Sequence, residues 1–558
     1  MVFNPDNPLI VQSDRSILLE TDNDKFEIVR DSLAQFAELV KSPEHIHTYR
    51  ITPLSLWNAA SAGKMADEII KDLFEFSKYD VPQNIIQDIK EYVSRYGRLK
   101  LIKDETTGEL ELISEDPYLI AEINSHRHVK ELIKGKKDKY TILVNDGMRG
   151  RVKQALIKIG FPVEDLAGYV EGTTLDVEIL DKTKAGMNFG LRPYQKDSVE
   201  VFHAGGSSRG GSGVLVLPCG AGKTIIGIGV LAKVKMQTLI LTTNITALRQ
   251  WKTELIDKTS LTEQQVGEYS GEVKDIKPVT ITTYQILTYR KTKDDEFIHL
   301  NLFDLQNWGL IIYDEVHLLP APVFRAVADI QAKRRLGLTA TLVREDGKED
   351  DVFSLIGPKK FDVPWKVLEK QGWIAQAICT EIRIPLNEEN RMQYATADSK
   401  LKFRIASENP AKLEIIKDLI EKHKDDNILI IGQYIDQLNA IADRFECPII
   451  TGKTPNKERE KIYGDFKSGV LKRLIVSKVA NFAIDLPDAN VAIQVSGTFG
   501  SRQEEAQRLG RILRPKSEGN LAHFYSLVTK DTKDQDFSAN RQLFLTEQGY
   551  RYKIELLN

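Results

Sequence analysis

Residues 217–224 read Leu217-Pro218-Cys219-Gly220-Ala221-Gly222-Lys223-Thr224. A short apolar run, 214–217, comes before them, and TIIGIGVLAKV, apolar at helical spacing, follows. Strand, glycine loop and helix in that order are the context a phosphate-binding loop requires. Gly220 and Gly222 have no Cβ, so the backbone N–H groups around them can close on phosphate oxygens. Lys223 is placed to reach the β- and γ-phosphates of a nucleotide, and Thr224 to ligate Mg²⁺. The positive end of the following helix adds to the cradle. Leu217 stands where the commonest form of this motif has its first glycine, so the match leans on its context. The plain alternative is a glycine turn ahead of a buried helix.

Working outward, residues 310–316 read LIIYDEV, with His317 next. An apolar run ending in two adjacent acids reads as a buried parallel strand with carboxylates at its C-terminal edge, where open α/β sheets put their ligands. Asp314 is then expected to hold Mg²⁺ through water, and Glu315 to orient or deprotonate the attacking water. A strand end that merely meets solvent is the alternative, and Lys223 in the same chain weakens it.

The chain has 558 residues, too many for one core, so three or four domains are expected. Apolar content of 42% and charged content of 28% are ordinary for a globular protein. A formal net charge of −3 gives no global basic field, so any nucleic-acid binding has to be local or gated by nucleotide. Cys219, Cys379 and Cys447 are far apart; they imply no disulfide framework and are too few for an iron–sulfur cluster. A reducing cytoplasm fits them. The N-terminus lacks the pattern of a signal peptide, and no uncharged apolar run is long enough to span a membrane, so no membrane role is expected.

Residues 1–97 read as a small mixed domain without a catalytic constellation. His45, His47, His126 and His128 lack nearby cysteines or clustered acids, which favours surface or capping histidines over a metal site. Residues 98–182 read as a second mixed α/β unit, opening with two alternating runs around Glu105–Gly108, a hairpin signal. Within it, RGRVKQALIKIG reads as a basic amphipathic helix. Arg149, Arg151, Lys153 and Lys158 make either a DNA-contacting face or a solvated one. The run GGSSRGGSG is a flexible loop inside one domain. From 183 to 370 strand and helix alternate, with strands expected at 214–217, 238–241, 279–283, 310–314 and 336–339. From 411 to 540 the alternation repeats, with strands at 427–432, 449–450, 473–477, 491–495 and 523–528. Both sheets should therefore be parallel. The second block has no phosphate loop, which points to a site shared between the two.

That second block contains QRLGRILR. On a helix, Gln507, Arg511 and Arg514 lie at i, i+4 and i+7, on one face. Arginines supplied across a cleft neutralise charge developing on a γ-phosphoryl group and are worth roughly a thousandfold or more in rate. A solvated basic helix is the alternative; it leaves Gly510 unexplained, since glycine weakens a helix unless something packs closely on it.

The ordered set LRPYQ, LPCGAGKT, LTTNITALRQW, TITTYQIL, DEVH, LTAT, VSKVANFAIDLPDANVAIQ and QRLGRILR resembles the superfamily 2 helicases. The DEVH box, LTATLVRED, FSLIGPKKFDVPW, the end HFYSLVTKDTKDQDFSANRQLFLTEQGY and the N-terminal run ELVKSPEHIHTYRITPLSLWNAASAG are similar to the XPB family, over nearly the whole chain. The resemblance implies an α/β fold with two RecA-like parallel-sheet motor domains behind a small N-terminal domain and a damage-recognition-like domain. The expected boundaries are 1–97, 98–182, 183–385 and 411–558, with a thumb-like element at 386–410. It further implies that Gln195, with Arg192 and Tyr194, recognises adenine. Thr339 and Thr341 would couple hydrolysis to domain movement, and Asp485 would touch nucleotide and nucleic acid. Arg344, Glu345 and Asp346 would act in DNA unwinding.

The activity so implied is ATP-dependent, 3′–5′ opening of duplex DNA in repair or transcription, with ATP and Mg²⁺ at the site and DNA carrying single-stranded regions as the partner. XPB-like proteins in some lineages work with a nuclease or repair protein, but no docking surface is legible. Two other readings stay open at this point: a duplex translocase that does not separate strands, and an ATP-gated DNA-opening scaffold.

Overall fold

The computed structural model describes the chain except residues 1–2, 42–44, 146, 208, 293–296, 331–332, 342–348, 478–488, 498–504, 506–507, 511, 514–520 and 558, and the side chains of 325, 328, 329, 456 and 544. The chain divides into two compact units. One is Met1–Leu217 with Gly222–Asp362; the other is Val363–Asn558 together with the loop residues Pro218–Ala221.

The first unit begins with a four-stranded antiparallel sheet ordered Leu9–Val11, Ser16–Glu20, Ile46–Arg50, Glu38–Lys41. The helix Pro53–Ser61 starts where the residues require it. Pro53 occupies the first turn, and the Thr52 hydroxyl accepts from the Ser55 N–H while the Ser55 hydroxyl accepts from the Thr52 N–H. His47 lies inside this sheet, buried against the edge of Phe26, so it is not the surface histidine expected. A mixed five-stranded sheet follows, ordered Ile133–Lys136, Thr141–Val144, Leu110–Ile113, Leu99–Lys103, Val163–Asp165. Its first two strands in sequence form the expected hairpin.

The helix Arg149–Lys158 corrects both readings of its basic residues. Arg149 and Lys153 are turned inward and share one largely covered carboxylate. Arg149 donates from Nη2 and Nε to Asp165, at 2.7 and 3.1 Å, and Lys153 Nζ reaches the same side chain at 2.9 Å. Arg151 and Lys158 remain exposed. Burial opposes charge on this cluster: the Lys153 ammonium is pushed down to about 8 even with Asp165 beside it. The flanking cations more than offset the burial of Asp165 and hold its carboxyl well below the usual range. Half of the supposed DNA face is therefore an internal counter-ion set.

The rest of this unit is a seven-stranded parallel sheet in the order Val266–Tyr269, Val279–Thr283, Thr238–Thr242, Leu310–Asp314, Arg334–Thr339, Ser212–Val216, Lys359–Asp362. Strands covered on both faces read as continuous apolar runs, and Leu310–Asp314 and Thr238–Thr242 are buried almost throughout. Trp308, Tyr313, Leu319 and Val323 fill the core on one side.

The second unit holds another seven-stranded parallel sheet, ordered Ile449–Ile450, Arg473–Ser477, Ile428–Gly432, Val491–Gln494, Leu521–Thr529, Gln376–Ile384, Tyr552–Leu556. Numbered within each sheet in chain order, the described strands of both run 3-4-2-5-6-1-7. The expected division at 385/386 needs correcting. Strand Gln376–Ile384 pairs in parallel with Leu521–Thr529 and Tyr552–Leu556, so the second sheet begins before it, and the compact units part at Asp362/Val363. Residues 386–410 carry the helices Glu388–Thr396 and Ser399–Ser407.

Candidate active site

The site is built on the C-terminal edge of the first parallel sheet. Strand Ser212–Val216 lies between Arg334–Thr339 and Lys359–Asp362. Leu217 continues this pairing, its N–H donating to the Thr339 carbonyl at 3.0 Å. Its side chain is fully buried, which is what an apolar residue achieves at the place of the usual glycine. Beyond it Gly220 and Gly222 take φ of 82° and 78°. A side chain would strain both positions, so the glycines are what let the loop curl over itself. Ala221 is buried beneath, its N–H donating to the Pro218 carbonyl at 3.2 Å, and Cys219 is half-buried. Gly222 caps the helix Lys223–Val234, so Lys223 and Thr224 open its first turn.

Across the sheet edge, Asp314 ends its strand and Glu315 follows with φ 50° and ψ 55°. A non-glycine residue in the left-handed region is strained and held there by its surroundings, a pattern concentrated at functional sites. The turn brings Glu315 Oε1 to 3.3 Å from Lys223 Nζ, and Oε2 to 3.5 Å from His317 Nδ1. Glu315 Oε2 is buried and makes no hydrogen bond. Burial raises a carboxyl, but Lys223 first and His317 second outweigh it, so Glu315 stays below its ordinary value. Asp314 is pushed up to about 6, by burial and then by the charge of Glu315. Two adjacent carboxyls driven apart in this way suit different tasks.

Other residues converge on the same edge. The Trp251 indole N–H donates to Asp314 Oδ2 at 2.9 Å, and the Tyr284 hydroxyl donates to the Asp314 carbonyl at 2.9 Å. His317 is buried with Nδ1 2.7 Å from the Thr339 hydroxyl, which gives its own proton to the Thr341 carbonyl. The hydroxyl having spent its one proton, His317 Nδ1 is the donor. Thr341 is also buried, and its hydroxyl has no hydrogen-bond partner. The DEVH run and the Thr339–Thr341 segment are thus joined through one imidazole. Gln195 is buried at the start of helix Pro193–His203. Its Oε1 accepts from the Arg192 N–H at 2.9 Å, and its Nε2 stands against Gly222, 2.7 Å from where a Cβ would be.

Lys223, Thr224, Asp314, Glu315, Thr339, Thr341 and Gln195 therefore meet on one sheet edge. Asp485, Arg344, Glu345, Asp346, Gln507, Arg511 and Arg514 lie outside the described residues. Their neighbour Arg508 is described and fully buried, donating to Gln494 Oε1 at 2.5 Å, which ties this segment to its own sheet. Trp251, His317 and Tyr284 received no role from sequence. Trp251 and Tyr284 sit inside the quoted runs LTTNITALRQW and TITTYQIL, so the signal was there without a partner to read it against.

The residues present fit a Mg²⁺-bound nucleotide. A curled glycine loop stands at a helix N-terminus, its lysine is paired with a carboxylate that has an unsatisfied buried oxygen, and a second, half-buried carboxylate is adjacent. Among the described residues no cluster of three His, Cys, Asp or Glu is placed to hold a metal ion. No described helix is long and apolar enough to cross a membrane.

Comparison with known proteins gives the same pattern. A family model described as the ERCC3/RAD25/XPB C-terminal helicase matches residues 368–556, which also places strand Gln376–Ile384 with the second sheet. One described as the type III restriction enzyme res subunit matches 188–344. A third, described as a helicase conserved C-terminal domain, matches 9–137, where the structure holds the antiparallel and part of the mixed sheet rather than a parallel one. Over 98% of the chain, the sequence is 53% identical to a DNA 3′-5′ helicase XPB of Kineococcus radiotolerans, covering 96% of that protein. It is also 53% identical to one of Mycobacterium tuberculosis, covering 98% of it. A Saccharomyces cerevisiae protein, named general transcription and DNA repair factor IIH helicase/translocase subunit XPB/SSL2, is 31% identical over 98% of the chain and 71% of its own length.

Proposed function

The chain belongs to the XPB family of helicases, and on that premise we propose that it couples ATP hydrolysis to 3′–5′ opening of duplex DNA, in excision-type repair or transcription-linked opening. The observation that carries this reading is the Lys223–Glu315 pair at the mouth of a preformed phosphate loop.

When bound, Mg²⁺-ATP supplies the transferable γ-phosphoryl group and the metal that offsets its charge. The loop N–H groups and Lys223 would bind the phosphates, and Thr224 and Asp314 would hold the metal. Once Lys223 turns to phosphate, Glu315 loses its neutralising partner and becomes the base that takes a proton from water. Gln195 and Arg192 read the adenine side. Thr339 and Thr341, linked to the box through His317, pass the change at the γ-phosphate onward. Gln507, Arg511, Arg514 and Asp485 complete the site from the second motor domain, and Arg344, Glu345 and Asp346 act at the strands being separated. The further partners are single-strand-containing DNA and a nuclease or repair protein, in the cytoplasm. The domains follow the family order, with a thumb-like element at 386–410 and the second motor domain enlarged to include residues 376–384.

Strand displacement on matched 3′-tailed, 5′-tailed and blunt duplexes tests the reading. Unwinding of the 3′-tailed duplex with ATP is expected, and the Glu315→Gln protein should keep nucleotide binding while losing turnover. Triplex displacement without strand separation would favour a duplex translocase instead, and wild-type turnover by Glu315→Gln would remove Glu315 as the base.

A further inference from the structure

We propose that Trp251 is a positioning residue for the metal-bound nucleotide, an indole strut that sets Asp314 against the helix bearing Thr224; this rests on the reading that Asp314 holds Mg²⁺ through water. Trp251 sits on helix Ile245–Lys258, whose start is fixed by the Asn244 side chain accepting from the Thr246 and Ala247 N–H groups, each at 3.0 Å. That helix follows strand Thr238–Thr242, which pairs directly with Leu310–Asp314. The indole is almost wholly buried, and its N–H lies 2.9 Å from Asp314 Oδ2.

The far edge of the same ring meets Gly227. A Cβ there would stand 2.4 Å from Trp251 Cη2 and 3.2 Å from Cζ3. Glycine in a helix interior is unfavourable by about 1 kcal/mol against alanine, and here the ring needs its space. Gly227 lies four residues after Lys223 and three after Thr224, on the same helix face. The rigid indole therefore touches the metal-side carboxylate at one end and the phosphate-loop helix at the other.

The choice of donor also matters. A neutral N–H satisfies one oxygen of a half-buried carboxylate without adding a cation that would compete with a metal. Partners of this kind fix ligand orientation, and their loss typically weakens metal affinity or activity about 10- to 100-fold.

The test uses the full chain with β-(3-benzothienyl)alanine at position 251, which keeps the ring's shape and replaces N–H by sulfur, beside Trp251→Phe, Gly227→Ala and Asp314→Asn. ADP affinity is measured without Mg²⁺ and then across a Mg²⁺ titration, and single-turnover ATP hydrolysis follows the same titration. The benzothienyl variant should bind ADP normally without Mg²⁺ and need about tenfold more Mg²⁺ for half-saturation in both assays. Trp251→Phe and Gly227→Ala should shift in the same direction. A benzothienyl midpoint within twofold of the wild type overturns the proposal, as does loss of Mg²⁺-free ADP binding, which a merely structural role produces. Asp314→Asn separates the premise: if it too leaves the Mg²⁺ midpoint unmoved, the metal reading of Asp314 is what fails.

Discussion

In each parallel sheet the first strand leads through an intervening segment into a helix whose first residue is a lysine. In the first sheet this is Lys223, after Ser212–Val216; in the second it is Lys412, after Gln376–Ile384. Both lysines reach toward the residue just beyond the fifth strand of their sheet: Lys223 to Glu315, Lys412 to the Val495 carbonyl at 2.9 Å. There the likeness stops. Lys412 is closed in, with its side chain 1% exposed and Asp534, at 3.2 Å, 0% exposed. Burial lowers its pKa despite that partner. Lys223 is 12% exposed, and Glu315, at 20%, keeps one buried oxygen without a hydrogen bond. One fold thus hosts the same residue at the same point, once as an internal counter-ion and once in a more open pair with Glu315. The connection makes the difference. The loop 217–222 has two glycines at positive φ, whereas 385–411 is occupied by two helices capped by Asn387 and Asp398.

Substitutions at matching points should separate these uses. Lys223→Ala should lower ATP turnover by about a hundred- to thousandfold while far-UV circular dichroism stays that of the folded protein. Turnover near the wild-type rate would leave the two lysines equivalent. Asp534→Asn should instead lower the unfolding free energy of the second unit by about 3–5 kcal/mol, because Lys412 is then buried without its carboxylate. Denaturant unfolding measures this, and a loss under about 1 kcal/mol would mean water reaches the pair. The smallest effect belongs to the connection itself. Asn387→Ala removes the side chain that accepts from the Asn390 N–H at 2.8 Å. It should destabilise by about 1 kcal/mol and leave basal ATP turnover unchanged. A clear fall in turnover would show that the 385–411 connection takes part in chemistry after all.

Sequence by itself determined what is local. The apolar run before LPCGAGKT, the glycines, and LIIYDEV carry their physical meaning in adjacent residues, so the loop, the box and the parallel character of both sheets were legible. It also marked Arg149–Lys158 as a helix, but not where its charges point. Only the tertiary structure supplied Asp165, which draws Arg149 and Lys153 inward. The same holds for strand Gln376–Ile384, which is absent from the strands expected from sequence: its partners lie more than a hundred residues away, at Leu521–Thr529 and Tyr552–Leu556. Trp251 against Asp314, His317 against Thr339 and the burial of Lys412 are decisions of this kind too. Periodicity and turn chemistry fix an element's type because they act between near neighbours, whereas the partner of a buried polar group is set by which distant element packs against it.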